Sequence, residues 1–283
     1  MMNNSCIVLE GGGLRGAFTA GVLEYFLEKK LDFDRVIGVS AGACVGASYM
    51  SKQKGRNQRV NVDMPSDKRY MGMRHLLTTG SYFNMDFIFR EIPEVLVPFD
   101  QQAFEQNKAD FDIVATSLAT GKPAIFGRKA IFEFGITDVL TASSSIPLIA
   151  NAVTIDNKQF FDGGVADSIP AEYALTKHDK AVVVLTRPRG YRKDPMSASF
   201  IFKMAFRKNR EFLNALLHRN EVYNQSLDFC FRMEKEGRLF ILAPSPEFSI
   251  SRTEKSREKR QNLFDHGYKL ARDEFERLTD FLK

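Results

Sequence analysis

Apolar positions along the chain fall into short blocks, divided by glycine-rich or polar turns, and the blocks differ in period. Cys6-Ile-Val-Leu9, flanked by Ser5 and Glu10, is a continuous apolar run with the length of a buried strand, and Gly11-Gly-Gly-Leu-Arg-Gly16 is a turn after it. Leu14, Phe18, Val22, Tyr25 and Phe26 then recur at the spacing of one helix face, and the pattern stops near Lys29 and Lys30, where basic residues suit a helix C-terminus. Arg35-Val-Ile-Gly-Val39 predicts a second strand, and Ala41 to Tyr49 a second helix, rich in small residues. Strand, helix, strand, helix in this order predicts a parallel α/β sheet with right-handed crossovers.

Further on, the polar and basic stretch from Lys52 to Arg69 reads as a surface connection, followed by helical pieces at Lys68–Thr78 and Met85–Ile92. Asp112–Ser117 and Lys122–Phe126 read as strands. Val153 to Phe161 reads as a hairpin, with two β-rich arms around Asp156-Asn157. Ala181–Thr186 and Leu239–Leu242 complete the strands, while 197–236 and 254–282 read as long amphipathic helices. There is no internal repeat and no low-complexity tract.

At 283 residues, with 44% hydrophobic and 27% charged side chains, the chain has the usage of a globular protein and enough length for a sizeable core. Its best apolar run, Ala181–Leu185, is far below the ~18 residues that cross a bilayer. The start of the chain lacks the basic region and apolar stretch of a secretion signal. Three unclustered cysteines (Cys6, Cys44, Cys230) argue against disulfides and a cysteine metal site, so the expected location is the cytoplasm. Charge is uneven: residues 1–186 carry 19 Lys and Arg against 21 Asp and Glu, and residues 187–283 carry 21 against 14. A basic half either coats solvated helix faces or attracts an anionic partner. Nucleic acid is not the expected partner, because the basic residues lack a reading module and interleaved aromatics.

Three places carry chemistry. Gly38-Val-Ser-Ala-Gly42 is a G-x-S-x-G between a strand and a helix, a context that strains the serine and exposes its hydroxyl, with Gly38 and Gly42 allowing close backbone approach. Gly11-Gly-Gly-Leu-Arg-Gly16 can gather backbone amides into a nest for an anion, the place of a tetrahedral oxyanion in acyl transfer. It also satisfies the dinucleotide fingerprint G-x-G-x-x-G, but the second strand ends in Gly38-Val39-Ser40 where a ribose-binding acid would stand, and no Gly-Lys-[Ser/Thr] of a phosphate loop follows. Asp162-Gly-Gly164 follows the hairpin arm; Gly163 and Gly164 free the backbone there to hold the carboxylate at a strand end, although Asp-Gly is also a common turn.

A serine hydroxyl needs a base. Ser40…Asp162…His266 matches the chain order of an α/β-hydrolase triad, so that reading stays open. His266 nevertheless falls within the last helical pattern, and the elbow comes after only two strands, which favours a dyad with Asp162 taking the Ser40 proton. A non-catalytic lipid-binding protein using the same pocket is the further alternative.

These elements, together with Ala142-Ser-Ser-Ser-Ile-Pro147, resemble the patatin-like phospholipases over residues 4–186. Gly80–Pro93 and the long basic C-terminal extension are similar to a bacterial branch of that family. The resemblance implies a three-layer α/β/α fold with a mainly parallel central sheet, a catalytic domain at 4–186 and a mostly helical basic extension at 187–283 packed on it, with one strand near 239–242. It implies hydrolysis of lipid acyl esters by Ser40 as nucleophile and Asp162 as base, with the amides of Gly11, Gly12 and Gly13 as oxyanion hole and Arg15 as a substrate-anion contact. Asp-Gly-Gly replaces the Asp-Gly-Ala of many members, a small change for the carboxylate. No metal or cofactor is implied. The apolar segment Ser199–Phe206, flanked by basic residues, is expected either to meet an anionic membrane at its inner face, to guard the site entrance, or to pack within the extension.

Overall fold

Strands that are buried on both faces need cover on both, and this governs the architecture. The computed structural model describes residues 5–196 and 199–283; the N-terminal four residues and the first two of the expected helix at 197–236 lie outside it. Among the described residues eight strands form one sheet: β1 (Cys6–Leu9), β2 (Arg35–Val39), β3 (Asp110–Ser117), β4 (Pro123–Phe126), β5 (Val153–Ile155), β6 (Lys158–Asp162), β7 (Ala181–Val184) and β8 (Leu239–Leu242). The strands β3-β2-β1-β7-β8 are parallel, while β4 and β6 run antiparallel to β3 and β5 antiparallel to β6. Alternate residues serve opposite layers. Ile7 and Leu9 pack with Phe18, Leu23, Val45 and Phe264 of the helices Gly16–Glu28, Ala41–Met50 and Arg257–Asp273. Cys6 and Val8 pack with Ala174, Tyr223 and Leu227 of the helices Ala171–Leu175 and Arg219–Lys235. The result is a three-layer α/β/α fold with a mainly parallel sheet.

One detail of register brings the ends of β2 and β6 together beside Ser40 and Asp162. β4 pairs with residues 113–116 of β3, overlapping both β2 (110–114) and β6 (115–117), so β2 and β6 share the other edge of β3 end to end. Val39, the last residue of β2, faces Val114, and Asp162, the last residue of β6, faces Ala115. Two strands from distant parts of the chain therefore meet head to head, and each must turn away at that point.

Two expectations need correction. Residues 52–69 are no simple surface connection: short helical turns run from Arg56 to Ser66, and Arg56, Asn57, Asn61 and Val62 are buried. Part of their polar surface is paired inside, with Asn57 Nδ2 donating to Val45 O at 3.2 Å and Arg56 Nη1 donating to Ser48 Oγ at 2.5 Å, while Arg56 Nε and Asn57 Oδ1 are buried without a partner among the described residues. Hydropathy does not register such pairing. The long helices are also broken, into Ser199–Ala205, Arg210–Leu217 and Arg219–Lys235, and into Arg257–Asp273 and Phe275–Leu282. The first break lets Phe206 and Phe212 both pack on Phe161, with ring centroids 5.6 and 5.1 Å away.

Candidate active site

Ser40 stands where β2 gives way to the helix Ala41–Met50, with φ 52° and ψ −124°. A non-glycine residue there is strained by about 1–3 kcal/mol and stays only if its surroundings hold it. Ser143, in the helix Ile136–Ser144, does the holding: its hydroxyl donates to Val114 O at 2.6 Å and accepts the Ser40 amide at 2.8 Å. A Cβ at Gly42 would be driven into the Leu9 carbonyl, so the following helix approaches β1 only because that side chain is missing. Gly38 lies against the Ala43 backbone in the same way.

The Ser40 hydroxyl donates to Asp162 Oδ2 at 2.6 Å, and Asp162 Oδ1 accepts the Gly164 amide at 2.7 Å. The Asp162 backbone is anchored as well, its N–H donating to Ser145 O at 2.7 Å. At Gly163 a Cβ would be driven into the Val114 carbonyl, which is how β6 can end so close to β2. Burial raises the Asp162 carboxyl above its ordinary value; the Ser40 hydrogen bond, the charges of Arg219 and Arg252 and the Gly164 amide oppose that rise.

Gly11, Gly12 and Gly13 line the cavity that contains Ser40 and Asp162, and among the described residues their amides have no hydrogen-bond partner. The loop itself is pinned. Glu10 accepts the Thr186 amide (2.5 Å) and the Tyr223 hydroxyl (2.7 Å), Thr186 Oγ1 donates to Gly11 O (3.2 Å), and the Leu14 amide donates to Arg252 O (3.0 Å). Arg15 is buried on the wall of the same cavity.

Two cavities meet at Ser40. The larger, about 500 Å³, has a polar wall carrying Arg15, Arg187, Lys193, Arg219 and Arg252. The smaller, about 140 Å³, is lined mainly by apolar side chains such as Leu14, Phe83, Ile88, Phe89 and Leu140. Among the described residues no histidine lines either cavity. His266 is engaged elsewhere: its ring stacks on Phe248 at 4.2 Å and its Nε2 accepts the Ser245 amide at 3.0 Å. No group of three or more metal-ligating side chains occurs among the described residues, and no helix among them is long and apolar enough to cross a membrane.

Sequence reasoning pointed to the segment holding Ser143 without its bridging role, and of the basic wall it singled out only Arg15, as a substrate-anion contact. Arg187 and Lys193 stood out only as charges flanking an apolar helix, and Arg219 and Arg252 not at all. Uneven charge in the C-terminal third was the available signal, but no periodicity separates a cation facing a cavity from one facing water.

A family described as "Patatin-like phospholipase" matches residues 7–175, and a "Domain of unknown function (DUF6363)" matches residues 209–283. "Uncharacterized protein YjjU" of Escherichia coli (strain K12) is 26% identical over 260 residues, covering 87% of this chain and 70% of that protein. "Probable lipid hydrolase 463L" of Invertebrate iridescent virus 6 is 25% identical over 193 residues, covering 62% of this chain and 64% of its own length. A "cUMP-AMP-activated phospholipase" of Escherichia coli is 28% identical over 202 residues, with 61% and 59% covered. The crystal structure of VipD from Legionella pneumophila superposes with a TM-score of 0.55 at 13% identity, covering 95% of this chain and 66% of that one, a likeness of fold.

Proposed function

The chain belongs to the patatin-like phospholipase family, and on that premise we propose that it is a lipid acyl-ester hydrolase working through a Ser40–Asp162 dyad. The observation that supports this reading is the 2.6 Å hydrogen bond from Ser40 Oγ to Asp162, placed where a cavity with a basic wall and a smaller apolar cavity meet. An ester carbonyl at Ser40 would then have an acyl chain on one side and an alcohol group on the other.

In this mechanism Ser40 Oγ attacks the carbonyl carbon as its proton passes to Asp162 Oδ2. The tetrahedral oxyanion is held by the amides of Gly11, Gly12 and Gly13, near the N-terminus of the helix Ala41–Met50. Collapse expels the alcohol, which takes the proton back from Asp162, and a water activated by Asp162 cleaves the acyl-enzyme. Aspartate is a weak base; its raised pKa brings it nearer to the task, and preorganised amides carry much of the rest.

The reading keeps residues 4–186 as the catalytic part and 187–283 as an extension, in a cytoplasmic protein that meets an anionic membrane peripherally. The helix Ser199–Ala205 suits that contact: Phe200, Ile201 and Met204 are exposed while Phe202 lines the larger cavity.

The test profiles turnover from short p-nitrophenyl esters to diacyl phospholipids, with fluorophosphonate labelling. Ser40→Ala and Asp162→Asn are each expected to lower turnover by about 10³-fold or more, and Ser40→Ala to abolish labelling. Full activity in Asp162→Asn with loss in His266→Ala would replace the dyad by the triad.

A further inference from the structure

Four of the five basic side chains on the wall of the larger cavity, Arg187, Lys193, Arg219 and Arg252, lie beyond the residues matched to the patatin-like family; Arg15 is the fifth. Among the described residues none of the five pairs with a carboxylate within 4.0 Å. The carboxylates nearest the chemistry are engaged, Glu10 by Tyr223 and Thr186 and Asp162 by Ser40 and Gly164; the third, Asp194, lies at the exposed rim. Arg15 is only 9% exposed, and its Nε is buried without a hydrogen-bond partner. Cations gathered this way repel one another and lose water, a cost offset only when an anion joins them. The cost is visible at Lys193, pushed down to about 6, first by burial, then by Arg219, with Glu10 opposing and Arg252 and Arg15 adding to it. Burial, and then Arg187, lowers Arg15 to about 10.

The anion's chemistry follows from the wall. Cations arriving from the glycine loop, from 187–193 and from residues 219 and 252 converge from several directions, which suits a tetrahedral phosphate with several oxygens better than a flat carboxylate. A choline headgroup needs a cage of several aromatic faces and is repelled by the same cations; of the three aromatics that line the cavity, Tyr223 already faces the Lys193 ammonium at 3.9 Å and Tyr191 the Arg187 guanidinium at 4.4 Å, which leaves Phe202 alone.

We propose that this basic cavity is a headgroup site for the phosphate of an anionic, choline-free phospholipid, whose acyl chain enters the apolar cavity on the far side of Ser40. The C-terminal third of the chain thereby reads the headgroup. The assignment rests on the lipid-hydrolase reading for its acyl half; its phosphate half stands on the cavity itself, so the test measures binding and not turnover.

The test uses the full-length Ser40→Ala protein and calorimetry with soluble dihexanoyl phosphatidate, dihexanoyl phosphatidylcholine, dihexanoylglycerol and inorganic phosphate. Phosphatidate is expected to bind about tenfold or more tightly than the choline lipid and the glyceride, the effect of at least one charge-assisted hydrogen bond. Binding at pH 8, where the phosphomonoester has already lost its second proton, should take up a proton, read as a buffer-dependent heat, because a phosphate facing Lys193 favours its ammonium despite Arg15, Arg187, Arg219 and Arg252 and alongside Glu10, Asp162, Asp194, Tyr191 and Tyr223. Adding Lys193→Met should remove the proton uptake and weaken the preference. Adding Arg252→Gln, an exposed position where folding is not at stake, should weaken the preference alone. Equal affinity for the three lipids, or a preference untouched by both substitutions, would overturn the proposal. Inorganic phosphate binding as tightly as phosphatidate would assign the cavity to free phosphate and also overturn it. Phosphatidate binding with no ester turnover by the unsubstituted protein would instead sink the hydrolase reading alone.

Discussion

At the scale of single residues, the proposed dyad is a carboxylate kept away from water and a serine kept in a strained backbone. Because burial raises the Asp162 carboxyl, the folded chain favours its neutral form more than the unfolded chain does. Folding therefore loses stability as pH rises through that raised value, and the cost persists at higher pH. Asp162→Asn preserves shape and lets an amide oxygen accept from Gly164 and an amide NH2 donate to Ser40. Its melting temperature at pH 8, by scanning calorimetry, should equal or exceed that of the unsubstituted protein. Activity runs the opposite way with pH, since only the ionised base accepts a proton: the acid limb of kcat/KM should lie above the ordinary carboxylate range. An acid limb at or below that range would contradict the raised carboxyl. G-x-S-x-G and Asp-Gly-Gly singled out Ser40 and Asp162 and favoured proton transfer between them; the 2.6 Å distance itself was not legible, as no local pattern relates positions 40 and 162.

At the scale of elements, β3 is the template that joins them. Its one edge carries β2 as far as Val39 and β6 from Asp162, and Ser143 fills the gap by bonding both Val114 O and the Ser40 amide. Ser143→Ala removes a donor and an acceptor from two buried backbone groups, so urea unfolding should show a loss of about 1–3 kcal/mol. As a positioning residue, it should lower kcat more than it changes KM, and Ser143→Thr, which keeps the hydroxyl, should recover part of both. The hairpin delivering Asp162 was readable because Asp156 and Asn157 both adopt positive φ, 49° and 57°, where their short polar side chains are tolerated. The edge shared by β2 and β6 was not readable, since it depends on where β4 pairs.

At the scale of the whole molecule, the C-terminal third is built into the sheet and both helical layers. β8 pairs with β7, Phe264 and Leu263 of the helix Arg257–Asp273 belong to the core shared with Phe18 and Leu23, and Arg219–Lys235 covers the opposite face. Arg260, with no exposed surface, donates to Val62 O from Nε and Nη2 at 3.1 and 2.9 Å, to Glu254 O at 2.8 Å and to Ser66 Oγ at 2.7 Å, tying that helix to the 56–66 segment. A chain ending at residue 186 should therefore lack a cooperative melting transition and collect in the insoluble fraction. A soluble, cooperatively melting 1–186 would show that the extension is dispensable for folding. Arg260→Ala in the full chain should cost about 2–4 kcal/mol in urea unfolding, because it orphans buried carbonyls.

The sequence by itself determined what is local: the period of each apolar block, the turns that require glycine, the residue types able to supply a nucleophile, a base and a nest of amides, and through them the family. Tertiary structure decided what depends on distant residues. The head-to-head meeting of β2 and β6, the Ser143 bridge, the burial of Arg56 and Arg260 and the basic wall facing Ser40 arise from contacts between segments tens to hundreds of residues apart. A side chain's charge is written in the sequence; whether that charge faces water, a carbonyl or a cavity is set only once the layers have packed.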